Sequence, residues 1–128
     1  MKTTKPIPPV IQKFIEASNS GDRKAYLDCF TDDALVNDIQ REFRGKRTIK
    51  RWSDEELFKV YVTMKVVKVT HHHGDTFLKA KIDGNYDKKA APDPLFLDFY
   101  FFLTGRKIAT LMIIRDSVKS AQPSKANR

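Results

Sequence analysis

The run Leu95-Phe96-Leu97-Asp98-Phe99-Tyr100-Phe101-Phe102-Leu103 is the most apolar stretch of the chain, and it holds one carboxylate. Its composition predicts a strand, with residues 96, 98, 100 and 102 on one face and 95, 97, 99, 101 and 103 on the other. Both faces are greasy, so the strand has to be covered twice. Asp98 shares its face with Phe96, Tyr100 and Phe102. A carboxylate there must find a partner, sit in a wet cavity, or keep its proton. Two readings follow: a structural acid bonded to a backbone or cationic group, and an acid lining a pocket.

A chain of 128 residues makes one domain and can bury a core without disulfides or metals. Its lone cysteine, Cys29, cannot form an internal disulfide, which fits a reducing cytoplasm. With Tyr26, Leu27 and Phe30 as neighbours it reads as a packed thiol rather than a nucleophile. No stretch has the length of a bilayer span, and the polar, proline-rich start lacks a signal peptide's apolar segment. The expectation is a cytoplasmic protein.

The net charge of +8 invites a nucleic-acid reading, so its location matters. Lys2, Lys5, Lys119, Lys125 and Arg128 lie outside the folded body and carry more than half of that excess. The body has one dense cluster: Arg41, Arg44, Lys46, Arg47, Lys50 and Arg51, relieved by Glu42. No nucleic-acid motif accompanies it, and Phe43 and Trp52 within it suit a core equally well. A solvated face is the plain reading; an anionic ligand such as a carboxylate or a coenzyme A ester is the alternative.

Pro8 and Pro9 suit a helix entrance, and Val10, Ile11, Phe14, Ile15 and Ser18 repeat at helical spacing. Asn19-Ser20-Gly21 stops that helix, and Asp22 caps a second one with Tyr26, Leu27 and Phe30 inside. Asp32-Asp33 turns into a strand over residues 34–39. A polar loop leads to Gly45 and a third helix carrying Ile49 and Trp52, with a break or further turn at Ser53 to Glu56. The remainder reads as long antiparallel strands. Val60, Val62, Met64 and Val66 alternate before the phase slips at Val66-Val67, which predicts a bulge and a curved sheet. Strands over 76–86, around Asp98 and over 108–115 follow. Residues 1–7 read as a flexible start, 8–116 as one domain and 117–128 as a disordered basic tail. The pattern is α+β, three N-terminal helices packed on a curved antiparallel sheet whose hollow is a natural ligand cavity. Strands apolar on both faces predict a homodimer through the sheet.

Helix, Asn19-x-Gly21-Asp22, helix, Phe30-Thr31-Asp32-Asp33-Ala34, strand, Gly45 and a short helix near Trp52 resemble the cone-shaped, cystatin-like nuclear transport factor 2-like superfamily. More narrowly, they resemble its SnoaL-like (polyketide cyclase) and ketosteroid isomerase branch, over roughly residues 8 to 115. That superfamily includes isomerases, dehydratases, cyclases and binding domains, so the fold alone cannot assign an activity. Within the isomerase branch, the resemblance implies a general base at Asp38 and a protonated hydrogen-bond donor at Asp98. The second donor of that family, a tyrosine on the first helix, is Phe14 here, and Tyr26 or Tyr100 would have to replace it.

The expectation is therefore a cavity walled by Phe14, Tyr26, Phe30, Trp52, Phe96 and Tyr100, with Asp38 and Asp98 as its polar fixtures. Its ligand would be a small apolar organic molecule, with no cofactor. Isomerisation, cyclisation or dehydration by acid-base chemistry is one function; a non-catalytic binding or dimerisation module is the other. An anion-binding or protein-interaction domain using the basic cluster is a third. His71-His72-His73 lacks the spacing of a zinc site, so no metal is expected.

Overall fold

The computed structural model describes residues 7–90 and 92–115. The basic residues assigned to the chain ends, and the expected tail, lie outside them.

Helix α1 (Pro9–Ser20) starts where expected, with Pro9 in its first turn, and buries Ile11, Phe14, Ala17 and Ser18 along one stripe. It ends at Gly21, whose φ of 76° suits a residue without a Cβ. Asp22 then caps α2 (Arg23–Asp28), its side chain accepting from the Ala25 amide at 3.0 Å. Asn19 acts across the molecule: its side chain donates to the Met64 carbonyl at 2.9 Å and accepts from the Met64 amide at 2.7 Å. In the Asn-x-Gly-Asp signature, Asn19 thus clamps a strand, Gly21 stops one helix and Asp22 caps the next. The clamp satisfies backbone groups of an edge strand, and its two bonds together contribute about 1–3 kcal/mol.

Six strands form one mixed sheet: β1 (Phe30–Asp38), β2 (Arg41–Arg44), β3 (Thr63–His72), β4 (Asp75–Asp83), β5 (Leu95–Thr104) and β6 (Lys107–Arg115). Their spatial order is β2-β1-β6-β5-β4-β3, antiparallel except for β1 beside β6. The phase slip falls where expected, in the register shift between Val66 and Lys68, which puts Val67 out of the ladder. Strand β2 replaces an expected loop. Arg-Glu-Phe-Arg shows no apolar alternation because this is a charged edge strand whose only half-buried side chain is Phe43. Helix α3 (Lys46–Ser53) continues into a π-helical turn, Asp54–Phe58, closed by the Lys59 amide on the Asp54 carbonyl at 3.0 Å.

The helices cover one face of the sheet. Phe14 is the hub, its ring centroid 4.9 Å from Tyr26, 5.2 Å from Phe101, 6.2 Å from Phe30 and 6.4 Å from Phe99. Register carries the covered face across the strands: Asp38 lies opposite Ile113, Ile113 opposite Phe99, and Phe99 opposite Leu78. The neighbouring row runs Ile114, Asp98, Lys79, Lys68 and belongs to the other face.

Candidate functional site: a carboxylate at the mouth of the cone

The helices do not fill the concave side of the sheet. A cavity of about 170 Å³ remains, walled by Phe14, Tyr26 and Trp52 from the helices and by Leu97, Phe99 and Ile113 from the sheet. Asp38 and Glu56 are its acidic members, and Tyr86 and Leu57 lie on the same lining. Asp38 reaches it from the last position of β1, whose preceding residue in this row, Val36, is fully buried.

The turn after β1 explains how Asp38 is held. Asp38 and Arg41 pair across a two-residue hairpin whose central residues, Ile39 and Gln40, both have positive φ, 49° and 71°. Such a turn matches strand twist, but it is usually made by Asn-Gly; a β-branched residue there is strained. Two bonds hold it: the Ile39 amide donates to the Ile113 carbonyl at 2.9 Å, and the Gln40 amide to Asn37 Oδ1 at 2.9 Å.

Arg41 donates through Nη2 to Asp38 Oδ2 at 2.7 Å and grips Glu56 with both nitrogens, at 2.6 and 3.1 Å. Trp52 Nε1 donates to the same Asp38 Oδ2 at 3.1 Å. Both donors therefore meet one carboxylate oxygen, and no donor among the described residues is bonded to Oδ1. The Glu56 hydrogen bonds and then those of Asp38 push the Arg41 guanidinium further up, so it stays charged. Arg41 also lies over Phe43, 5.3 Å from the ring centroid, and Phe43 stacks on Trp52 at 5.6 Å. Burial chiefly, and the nearby Cys29 and Asp38 charges after it, raise the Tyr26 phenol well above its ordinary value. It remains a protonated donor.

The other expected acid is elsewhere. Asp98 stands on the opposite face of the sheet, its Oδ1 accepting from Lys79 Nζ at 2.9 Å, with Lys68 and Tyr100 lining the same shallow pocket. Phe96 and Tyr100 share that face; Tyr100 packs against Phe77, centroids 4.5 Å apart. Alternation along β5 holds as expected, but the odd-numbered set, not the even, faces the helices. Asp98 is thus the paired structural acid of the two readings, and the two carboxyls do not converge. Phe30 is buried behind Phe14 and Tyr26 and does not line the cavity. Phe14, Tyr26, Trp52 and Asp38 do.

Arg41 and Glu56 join the site without a signal in the sequence that marks them as parts of one. Other members of the basic cluster to which Arg41 belongs have local partners: Lys50 pairs with Asp54 at 2.7 Å, Lys46 approaches Asp32 at 3.9 Å, and Arg44 donates to the Asp33 carbonyl. Cys29 is buried, donates to the Ala25 carbonyl at 3.3 Å, and burial pushes its thiol up to about 11. His71 Nδ1 lies 3.3 Å from the Thr76 hydroxyl, and the His72 and His73 rings meet at 4.1 Å. Among the described residues no helix is long and apolar enough to cross a membrane.

No protein-family model matches the chain. No curated protein matches it. Solved structures do. A Sinorhizobium meliloti protein assigned as a polyketide cyclase superposes with TM-score 0.75 at 22% identity, over 84% of this chain and 94% of that one. A ketosteroid isomerase-like protein of Catenulispora acidiphila, in complex with trimethylamine, gives 0.71 at 17% identity over 87% and 88%. The canthaxanthin-binding orange carotenoid protein of Anabaena gives 0.71 at 18% identity, over 89% of this chain but 38% of that one. These likenesses show the fold, a curved α+β architecture of the nuclear transport factor 2-like, ketosteroid isomerase-like kind.

The Lys79–Asp98 assignment has a direct consequence. Asp98→Ala removes the buried carboxylate that the half-buried Lys79 ammonium bonds at 2.9 Å, and should cost about 1–3 kcal/mol in urea denaturation. The apolar pair Asp98→Leu with Lys79→Met should lose less than the single change; an additive, larger loss contradicts the pairing.

Proposed function

We propose that this domain holds a small, largely apolar organic molecule in the cavity, anchored by the Asp38 carboxylate. The observation that carries this reading is the division of labour on Asp38: Trp52 and Arg41 occupy Oδ2, which leaves Oδ1 to accept from a ligand. The walls are aromatic and aliphatic, so one oriented acceptor sets the ligand's direction. At about 170 Å³, the space is small beside the roughly 300–1,000 Å³ of sites for drug-sized ligands. A one-ring or short branched molecule fits this better than a polycyclic one. Asp38 and Glu56 outnumber Arg41, so the mouth favours a neutral donor or a cation over an anion. The trimethylamine and canthaxanthin complexes among the similar structures support ligand binding as the use of this fold.

A second reading rests on the same oxygen. Asp38 Oδ1, with Tyr26 as a protonated donor on the same lining, makes a base and a hydrogen-bond donor without a cofactor. Asp38 would take a proton from a carbon beside a carbonyl and return it to another carbon, while the Tyr26 hydroxyl stabilises the enolate oxygen.

Trp52 is the only tryptophan, so its fluorescence reports the cavity. Benzyl alcohol and trimethylammonium should change it saturably, with benzoate binding more weakly. Asp38→Asn should weaken the two favoured probes by about tenfold or more, the worth of a hydrogen bond to a charged group. No saturable change, or affinities untouched in Asp38→Asn, defeats the binding reading. For the catalytic reading, Asp38→Asn should abolish turnover of an enolisable ketone that the variant still binds by Trp52 fluorescence; retained turnover removes Asp38 as base.

We also propose that the uncovered sheet face joins two copies of the chain. Phe77, Phe96, Tyr100, Phe102, Met112 and Ile114 lie on it, and Met112 is 38% exposed. Sedimentation at micromolar concentration should find a dimer that Met112→Lys converts to monomer; a monomeric parent overturns this.

A further inference from the structure

A second cavity lies at the other end of the sheet. Asp38 stands near the Leu97–Arg115 end of the β5–β6 ladder, whereas this groove surrounds the Thr104–Lys107 turn at its far end. Its volume is about 520 Å³, larger than the Asp38 cavity. Pro8, Val10 and Leu103, each half-buried, give it an apolar floor. Lys13, Arg106 and Lys107 stand exposed around it, from α1 and from the β5–β6 turn. The acid among its lining residues is Asp28, whose side chain lies 3.6 Å from the Lys24 ammonium and whose carbonyl accepts from Lys107 Nζ. Three cations therefore face one carboxylate that already has a partner, and the groove is electropositive. Cys29, buried in the lining, registers this: Lys13 and Lys107 oppose the upward push of burial on its thiol. The first turn of α1 contains no acid to offset them.

We propose that this groove is a binding site for an amphipathic monoanion of the aliphatic carboxylate class, distinct from the Asp38 cavity. Its chain lies along Pro8, Val10 and Leu103, and its carboxylate is taken by Lys13 and Arg106, with Lys107 behind them. The two cavities then differ in sign: the mouth at Asp38 turns anions away, and the far groove attracts them. Apolar contact supplies part of the affinity and the charge-assisted bonds select the head group.

The probe is octanoate, with octanol as its neutral match, followed by amide chemical shifts of the full chain. Octanoate should move the amides of residues 10, 13, 29, 103, 105, 106 and 107, and bind about tenfold or more tightly than octanol. Lys13→Gln with Arg106→Gln should abolish that preference, while Arg106→Lys keeps most of it. Both residues are exposed, so a dispersed spectrum of the double variant verifies that it folds. Shifts confined to the Asp38 cavity, equal binding of octanol and octanoate, or a preference that survives the double variant overturns the proposal.

Discussion

The carboxylate of Asp38 joins three parts of the molecule at one point. It is the last residue of β1, it is gripped by Arg41 across the hairpin, and it receives the indole N–H of Trp52 from α3. Arg41 carries the connection on to Glu56 in the π-helical turn. The apolar packing of Phe43 on Trp52 joins the same hairpin and helix beside these polar bonds. A carboxylate drawn partly out of water needs such donors, and here they come from the next strand and the helix after it. The strain of Ile39 at positive φ belongs to the same arrangement, because the tight turn sets Asp38 and Arg41 opposite each other.

Much of the fold is legible in the sequence. The α1 stripe, the Asn19-x-Gly21-Asp22 signature and the slip at Val66-Val67 each express a local rule, and each appears in the structure as expected. Strand β2 is not legible, because an edge strand of charged residues has no alternation to read. Its hairpin is equally hidden: Ile39-Gln40 lacks the glycine or asparagine that announces such a turn. Given the turn, the Asp38–Arg41 pair across it follows from spacing alone. Glu56 has only the appearance of a capping residue, and a π-helical turn has no simple sequence signal.

The misplacement of Asp98 has a clear physical source. Alternation tells which residues share a face, but not which of two greasy faces the helices cover. The deciding information is in β4, where Leu78, Ala80 and Ile82 alternate with Phe77, Lys79 and Lys81. The basic set must face outward, and register then puts Lys79 opposite Asp98. Register is a tertiary property, so the partner cannot be named from the strand's own sequence. The outer acid pairs with Lys79 across the sheet; the inner one lines the cavity.

The indole N–H of Trp52 tests the node most directly, since one tryptophan gives one side-chain N–H resonance. With its donor bond to Asp38 and its ring buried, this proton should exchange slowly with solvent, and Asp38→Ala should speed the exchange and move the resonance. An indole proton that already exchanges freely in the parent protein, or that ignores the loss of Asp38, would contradict the account.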